Sequence, residues 1–467
     1  MGVPHIVILG GGPAGVGAAF YLRKQDRATV TLLEQQAVPG GNAGSFELEG
    51  IRCDYGSHRL HHACDPAILG DLKAVLGEDL VDMPRHGRIR LRGKWLHFPL
   101  KPVDLLLRLD RAFALGAARD MALRAVGRKA EEGETFASVL RANLGPTICD
   151  HFYYPYARKL WGREPEALSG IQARKRVSAG SFRKLVRRLA RPPGAGRYFY
   201  PKRGYGQISE ALAAEAVRMG ADLRFGARVT GLCRPEAEGR WTVAVQRDGA
   251  IERIEADYVW STIPTPLAAR MVAPAVSPDV LDAASRITYR AMVLVYLVLD
   301  IDQFTTTDAH YFPEADIAAT RISEPKNYAR MTEPKGRTVL CAELPCTIDD
   351  ALWTMSDEEL GRRVADDLAR AEIPLPRPPV RVVVRRLRQA YPIYLSGYEI
   401  PFGVLDDWAE RLPGFLVYGR QGLFAHDNTH HALYMARAAV DCLQDGRFDA
   451  ERWHAYRAIF ATHVVED

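Results

Sequence analysis

The residues best suited to chemistry begin at position 10. Gly10-Gly11-Gly12-Pro13-Ala14-Gly15 follows the apolar run Ile6-Val7-Ile8-Leu9 and precedes a segment of helical composition, Val16–Lys24. Glycines at these spacings are what a dinucleotide pyrophosphate requires of a strand-to-helix turn. Gly10 permits the tight turn, Gly12 lets the backbone approach the phosphates, and Gly15 lets helix and strand pack closely. Pro13 and Ala14 open the helix, whose free N–H groups and dipole attract the phosphate charge. A second apolar run, Ala28–Leu33, leads to Glu34 and Gln35, where a carboxylate can accept both hydroxyls of the adjoining ribose. The reading is a nucleotide site on a βαβ unit.

Further motifs extend this site. A second glycine cluster, Val38-Pro39-Gly40-Gly41-Asn42-Ala43-Gly44-Ser45, follows Glu34, and Asp54-Tyr55-Gly56-Ser57-His58 comes soon after. Pro201-Lys202-Arg203-Gly204-Tyr205-Gly206, Ala256–Pro264 with Thr262-Ile263-Pro264, and Tyr418-Gly419-Arg420-Gln421-Gly422 before Asp427-Asn428-Thr429-His430-His431 complete the set. Together they resemble the amine oxidase, protoporphyrinogen oxidase and UDP-galactopyranose mutase group of flavoproteins over nearly the whole chain. The resemblance implies FAD. Gly40, Gly41 and Asn42 would carry the chain along the pyrophosphate, and Ser57 and His58 would lie beside the flavin ring. Val229 would hold adenine through its backbone, and Thr262, Gly419, Arg420, Asp427, Asn428 and Thr429 would close the site. No second strand–glycine–helix unit is present, so a separate nicotinamide domain is not expected.

On the substrate side the likeness is to UDP-galactopyranose mutase and its relatives. Tyr156-Ala157-Arg158-Lys159-Leu160-Trp161-Gly162 resembles a mutase segment whose Tyr and Trp line the substrate pocket. Arg176 falls near one pyrophosphate-binding arginine, and Arg321, in Thr320-Arg321-Ile322-Ser323-Glu324, resembles the second. Tyr391 resembles a substrate tyrosine, and His58 and His61 resemble histidines beside the flavin. Two arginines in one cleft suit a diphosphate or carboxylate, and a histidine there can shuttle a proton. The catalytic candidates are thus His58, His61, Arg321 and Tyr391, with Tyr156, Trp161 and Arg176 as substrate contacts. The mutases carry a tyrosine pair where this chain has His426 and Asp427. Hydride transfer from a small, anionic molecule to FAD is therefore the first expectation, and sugar-nucleotide mutation with reduced FAD the alternative.

Each assignment has a plainer counterpart. Trp161 and Tyr156 could simply pack a helix on the sheet. The basic stretch from Arg174 through Arg191 could be a solvated helix face, or could dock on anionic lipid, as a non-catalytic scaffold would.

The elements that must position these residues follow from length and pattern. At 467 residues, 47% of them hydrophobic, the chain is long enough for two or three domains. The expected fold is α/β, α+β overall: a Rossmann-like FAD domain of the glutathione-reductase type with an inserted helical and mixed-sheet substrate domain. The FAD domain would be assembled from 1–85, 198–265 and 388–446. A helical region, 86–197, and a mixed sheet, 266–387, would complete the chain. Expected strands include Leu223–Val229, Trp241–Gln246, Ile254–Ser261, Met292–Asp300 and Val380–Val384, with a hairpin turning at Arg92-Gly93 and a helix from His430 to Leu443. Seven scattered cysteines without a C-x-x-C pair point to a reduced, cytoplasmic protein with no metal site. No signal peptide or membrane span is expected, because Val103–Leu123 is broken by charges. Peripheral contact at the inner face of the membrane and a homodimer are open alternatives. A net charge of +5 is too small to argue for nucleic acid.

Overall fold

In the computed structural model, residues 3–98, 108–125, 134–176, 196–234 and 239–465 are described. The fold is mixed, with helices and sheets layered around a parallel nucleotide-binding sheet. Five strands in the order Asp222–Phe225, Thr29–Glu34, His5–Leu9, Tyr258–Ser261 and Phe415–Val417 run parallel. The central strand His5–Leu9 is a β-branched run with Ile6, Val7, Ile8 and Leu9 fully buried. It is covered on both faces, as parallel sheets require. The helix Pro13–Lys24 crosses back over it with Pro at its first turn, where a missing N–H costs nothing.

A four-stranded sheet packs beside it, in the order Ala250–Ala256, Trp241–Arg247, Arg228–Cys233 and Val272–Ala273. Two expected strands are each divided here. Leu223–Val229 breaks at Gly226, whose φ of +67° turns the chain out of the parallel sheet and into the antiparallel one. Ile254–Ser261 breaks at Asp257, which accepts from the His5 N–H through its side chain and donates its own N–H to the His5 carbonyl. Apolar continuity in the sequence conceals both sheet changes.

The third large sheet has seven strands, in the order Arg381–Pro392, Tyr289–Leu299, Thr338–Cys346, Arg321–Ser323, Ala309–Tyr311, Gly87–Leu91 and Lys94–Phe98. Its hairpin turns at Arg92-Gly93, both with positive φ, as a two-residue hairpin demands. The strand Tyr289–Leu299 is apolar on both sides because both are covered. Val293, Val295 and Leu297 pack under the helix Asp357–Arg370, while Met292, Leu294 and Tyr296 pack with Leu48, Ile51 and Cys53 of the hairpin formed by Ser45–Leu48 and Ile51–Asp54. The helix Thr429–Asp441 packs on Pro13–Lys24, where a Cβ at Gly17 would meet Leu433 at 2.8 Å. The helix Ala450–Ala461 packs on Thr429–Asp441 in turn, for example through Tyr434 and Phe460. Among the described residues no helix is long and apolar enough to cross a membrane. Of the segment Val103–Leu123, residues 111–123 belong to a helix, Arg111–Ala125. Most of the basic stretch lies outside the described residues.

Candidate active site

The glycine turn is shaped to receive a bulky anion. A Cβ at Gly15 would overlap the Gly10 carbonyl oxygen, so only glycine lets the helix start this close to the strand. At Gly12, by contrast, a Cβ would meet nothing within 4 Å, leaving open space where the turn faces outward. Gly12 is the N-cap, with no side-chain cap and no acidic residue in the first turn, so its amides stay available to a ligand. Glu34 is buried, with its Oε2 accepting from the Gly11 N–H and its Oε1 from the Gln36 N–H, each at 2.7 Å. Gln35 is exposed beside it. The second glycine cluster meets the first directly: the Gly40 N–H donates to the Gly11 carbonyl at 2.8 Å. Val229 sits in the strand Arg228–Cys233 beside a β-bulge that spans positions 229 to 231. Thr262 Oγ1 donates to the Leu9 carbonyl at 2.8 Å, and a Cβ at Gly419 would press on Ala14 at 2.7 Å. The three remote segments therefore converge on the one turn.

Below the turn lies a cavity walled by Asn42, Ser57, His58, Tyr156, Leu160, Arg321, Tyr391, Arg420, Asp427 and Asn428. His58 Nε2 donates to the Tyr55 carbonyl at 3.0 Å, and its ring stacks on Tyr205 with centroids 5.3 Å apart. Burial pushes its pKa down to about 4, so the ring is neutral and Nδ1 is left as an acceptor. Arg420 donates to the carbonyls of Asp427 and Ala390 at 3.1 and 3.0 Å, and its guanidinium lies 5.2 Å over Tyr391. Asn42 Nδ2 holds the Gln389 carbonyl at 2.9 Å.

Two expected residues stand off the cavity wall, and a third has a side chain outside the described atoms. Trp161 is buried behind the wall, edge-on to Tyr391 and His426, while Leu160 takes the cavity face. His61 lies off the wall, with its Nδ1 accepting from the Ala63 N–H at 3.0 Å and its ring 6.4 Å from His430. Arg176 ends the helix Gly170–Arg176, and its side chain lies outside the described atoms.

The residue that the motifs did not single out is Glu343. It grips Arg321 through two hydrogen bonds, Nε at 2.9 Å and Nη2 at 2.8 Å, and also accepts the Ser57 N–H at 2.7 Å. Burial works against the Arg321 charge, and the Glu343 carboxylate holds it on. A single acid within the buried strand Thr338–Cys346 was the signal available. Arg59 was also missed. It sits between the rings of Tyr198 and Tyr328, 3.4 Å from Asp308, and reaches the Tyr311 hydroxyl at 3.3 Å. Beyond Tyr198 and Asp308 opens a larger cavity, about 500 Å³. Its Lys326 ammonium is already taken up by the carbonyls of Asp302, Pro334 and Arg337, at 2.9 to 3.0 Å. The smaller cavity, below the glycine turn, is where the chemistry-bearing side chains gather.

Asp427, His431 and His463 cluster with their ligand atoms within 4.8 Å of one another. The two rings stack 4.2 Å apart and within 14° of parallel, so no single ion can lie in both ring planes. His431 Nδ1 is also taken, accepting the Asn428 N–H at 3.2 Å. As placed, this is a hydrogen-bonded carboxyl beside stacked imidazoles.

The chain matches the model of the flavin containing amine oxidoreductases over residues 13–451. It belongs to that family. Its cofactor is FAD, and the residues present fit this group. Open space at Gly12 suits the pyrophosphate, while the buried Asp427 Oδ1 and both His430 ring nitrogens have no hydrogen-bond partner among the described residues at the other end of the site. Among its relatives in the family is the protoporphyrinogen oxidase of Bos taurus, 24% identical over 96% of this chain and 98% of that one. The phytoene dehydrogenase of Streptomyces griseus is 29% identical, over 58% of this chain and 56% of that protein. The solved structure of a reduced UDP-galactopyranose mutase superposes with a TM-score of 0.81 at 21% identity, covering 99% of this chain and all of that one. That likeness is one of fold.

Proposed function

We propose that the protein oxidises a small organic substrate by hydride transfer from carbon to its FAD. The observation that carries this reading is the Arg321–Glu343 pair. A guanidinium engaged at Nε and Nη2 by a buried carboxylate adds no net charge to the cavity. A sugar diphosphate calls for unpaired cations. Arg420 is likewise engaged, by main-chain carbonyls. Redox chemistry on an amine, an alcohol or a saturated C–C bond is therefore favoured over sugar-nucleotide mutation.

In this reading Gly10, Gly12, Pro13, Ala14 and Gly15 cradle the pyrophosphate, and Glu34 with Gln35 takes the ribose. Val229 and Thr262 border the adenine half. Gly40, Gly41, Asn42, Ser57, Gly419, Arg420, Asp427, Asn428 and Thr429 border the flavin half. FAD supplies the acceptor for the hydride. His58 Nδ1 takes the proton that leaves the amine or alcohol as the C–H bond breaks, which keeps the charge balanced. Tyr156, Tyr391 and Arg321 orient the substrate, and Leu160, Met292 and Leu294 keep water from the reacting carbon. Dioxygen or another oxidant then restores the enzyme.

The test is anaerobic mixing with a panel of amines, alcohols, porphyrinogens and polyenes, following the visible flavin absorbance. One class should bleach it. If none does, while dithionite-reduced protein changes the ring size of UDP- or GDP-sugars by NMR, the mutase reading replaces this one.

A further inference from the structure

The segment after the last helix returns to the cavity. Val465 forms part of the cavity wall, and its N–H donates to the Lys175 carbonyl at 2.9 Å. Lys175 Nζ lies 3.5 Å from the carbonyls of Phe460 and His463, so the helix Gly170–Arg176 and this segment clasp each other. Between them His463 is fixed on three sides. Its ring stacks on His431, lies 5.6 Å from Phe460, and presents Nδ1 to Asp427 Oδ2 at 3.3 Å.

Asp427 stands at the entry to the helix Thr429–Asp441, the end that borders the flavin half of the site. Its side chain is fully buried, and His463 is the one described donor within hydrogen-bond distance of it. His431 Nδ1, at 3.7 Å, is too far, and it is already an acceptor for the Asn428 N–H. The other carboxyl oxygen, Oδ1, is buried without a hydrogen-bond partner among the described residues. A carboxyl held by one donor at one oxygen has its rotamer set by that donor. Without it the buried Asp427 carboxyl has no described donor, and the same residue's main-chain carbonyl is the one that receives Arg420 at 3.1 Å.

We infer that His463 is a positioning residue for the cofactor site: its Nδ1–H fixes Asp427, and through Asp427 the helix entry and Arg420. The inference rests on the assignment of this helix end to the flavin half of the site. Two variants separate hydrogen bonding from packing. His463→Phe keeps a ring to stack on His431 but has no donor, whereas His463→Asn places an amide N–H close to where Nδ1 lies. FAD affinity, by fluorescence titration of apoprotein, should weaken about tenfold in His463→Phe and stay within about twofold of wild type in His463→Asn. The visible absorption bands of bound flavin should shift in the first variant and not in the second, while the apoprotein melting temperature of both stays close to wild type. Wild-type apoprotein that takes up no FAD would overturn the site itself. A normal wild type with an unchanged His463→Phe, or an Asn variant as impaired as the Phe variant, would overturn the role of His463 alone.

Discussion

Glu343 and Arg321 face each other across adjacent antiparallel strands, in register, and meet in a bidentate pair at 2.9 and 2.8 Å. Both side chains are largely withdrawn from water, so the pair neutralises charge that the cavity would otherwise present. Removing one partner of such a pair leaves the other buried and uncompensated. Glu343→Gln should therefore lower stability by about 3 kcal/mol in urea denaturation. It should also give the protein measurable affinity for UDP by calorimetry, because the Arg321 charge is then no longer balanced by a carboxylate. Wild-type protein that already binds UDP tightly would contradict the reading of the cavity as charge-balanced.

The neutral imidazole of His58 is assigned the proton transfer. His58→Phe keeps an aromatic ring against Tyr205 but removes the acceptor nitrogen. Flavin reduction by substrate in a stopped-flow experiment should slow by about 10²- to 10⁴-fold. FAD content should remain that of the wild type. Reduction at the wild-type rate would remove His58 from the chemistry.

At the opposite end of the cofactor, Gly15 admits no side chain. Gly15→Ala forces the helix Pro13–Lys24 away from the strand His5–Leu9, and with it the amides around Gly12. The purified variant should be colourless, and reconstitution with FAD should fail. A yellow Gly15→Ala protein would show that the turn tolerates displacement.

Acid should destabilise the apoprotein. Burial holds four imidazoles down, His58, His310 and His431 to about 4 and His430 to about 2. In an unfolded chain they titrate near 6.5. Below that pH the unfolded state binds protons that the fold refuses, so their contribution is complete above about 6.5 and is lost as the pH falls toward 4. Asp54 acts in the other direction. Burial raises its carboxyl to about 6, so the folded state takes up that proton first. Burial also raises the carboxyls of Glu324 and Asp367, which act as Asp54 does, so three groups oppose four and the net sign is unchanged. The urea midpoint should fall between pH 7 and pH 5, and a rise over that interval would reverse the assignment.

What could be read in the sequence was whatever is fixed locally. The glycine turn, the hairpin at Arg92-Gly93 and the helix at Thr429 each depend on a few neighbouring residues and stand where their patterns put them. The position of Trp161 behind the wall follows helix geometry. Positions 156 and 160 share a helical face, whereas 161 is rotated well away, in keeping with Tyr156 and Leu160 on the cavity wall and Trp161 behind them. The division of Leu223–Val229 and Ile254–Ser261 depends on which sheet each half joins, and apolar periodicity does not carry that information. Glu343 left a trace as a lone acid in an apolar run. His463 left none, because its meaning comes from Asp427, which no local spacing connects to it.

The shared turn has one more consequence. Amides near the start of the chain, a threonine from its middle and a glycine close to its end all press on the same few atoms. No fragment contains the pocket, and tethering by the coenzyme would join pieces that are synthesised far apart in time. Uptake of colour should therefore be among the last events of assembly, and a yellow protein is evidence that the entire polypeptide has found its arrangement.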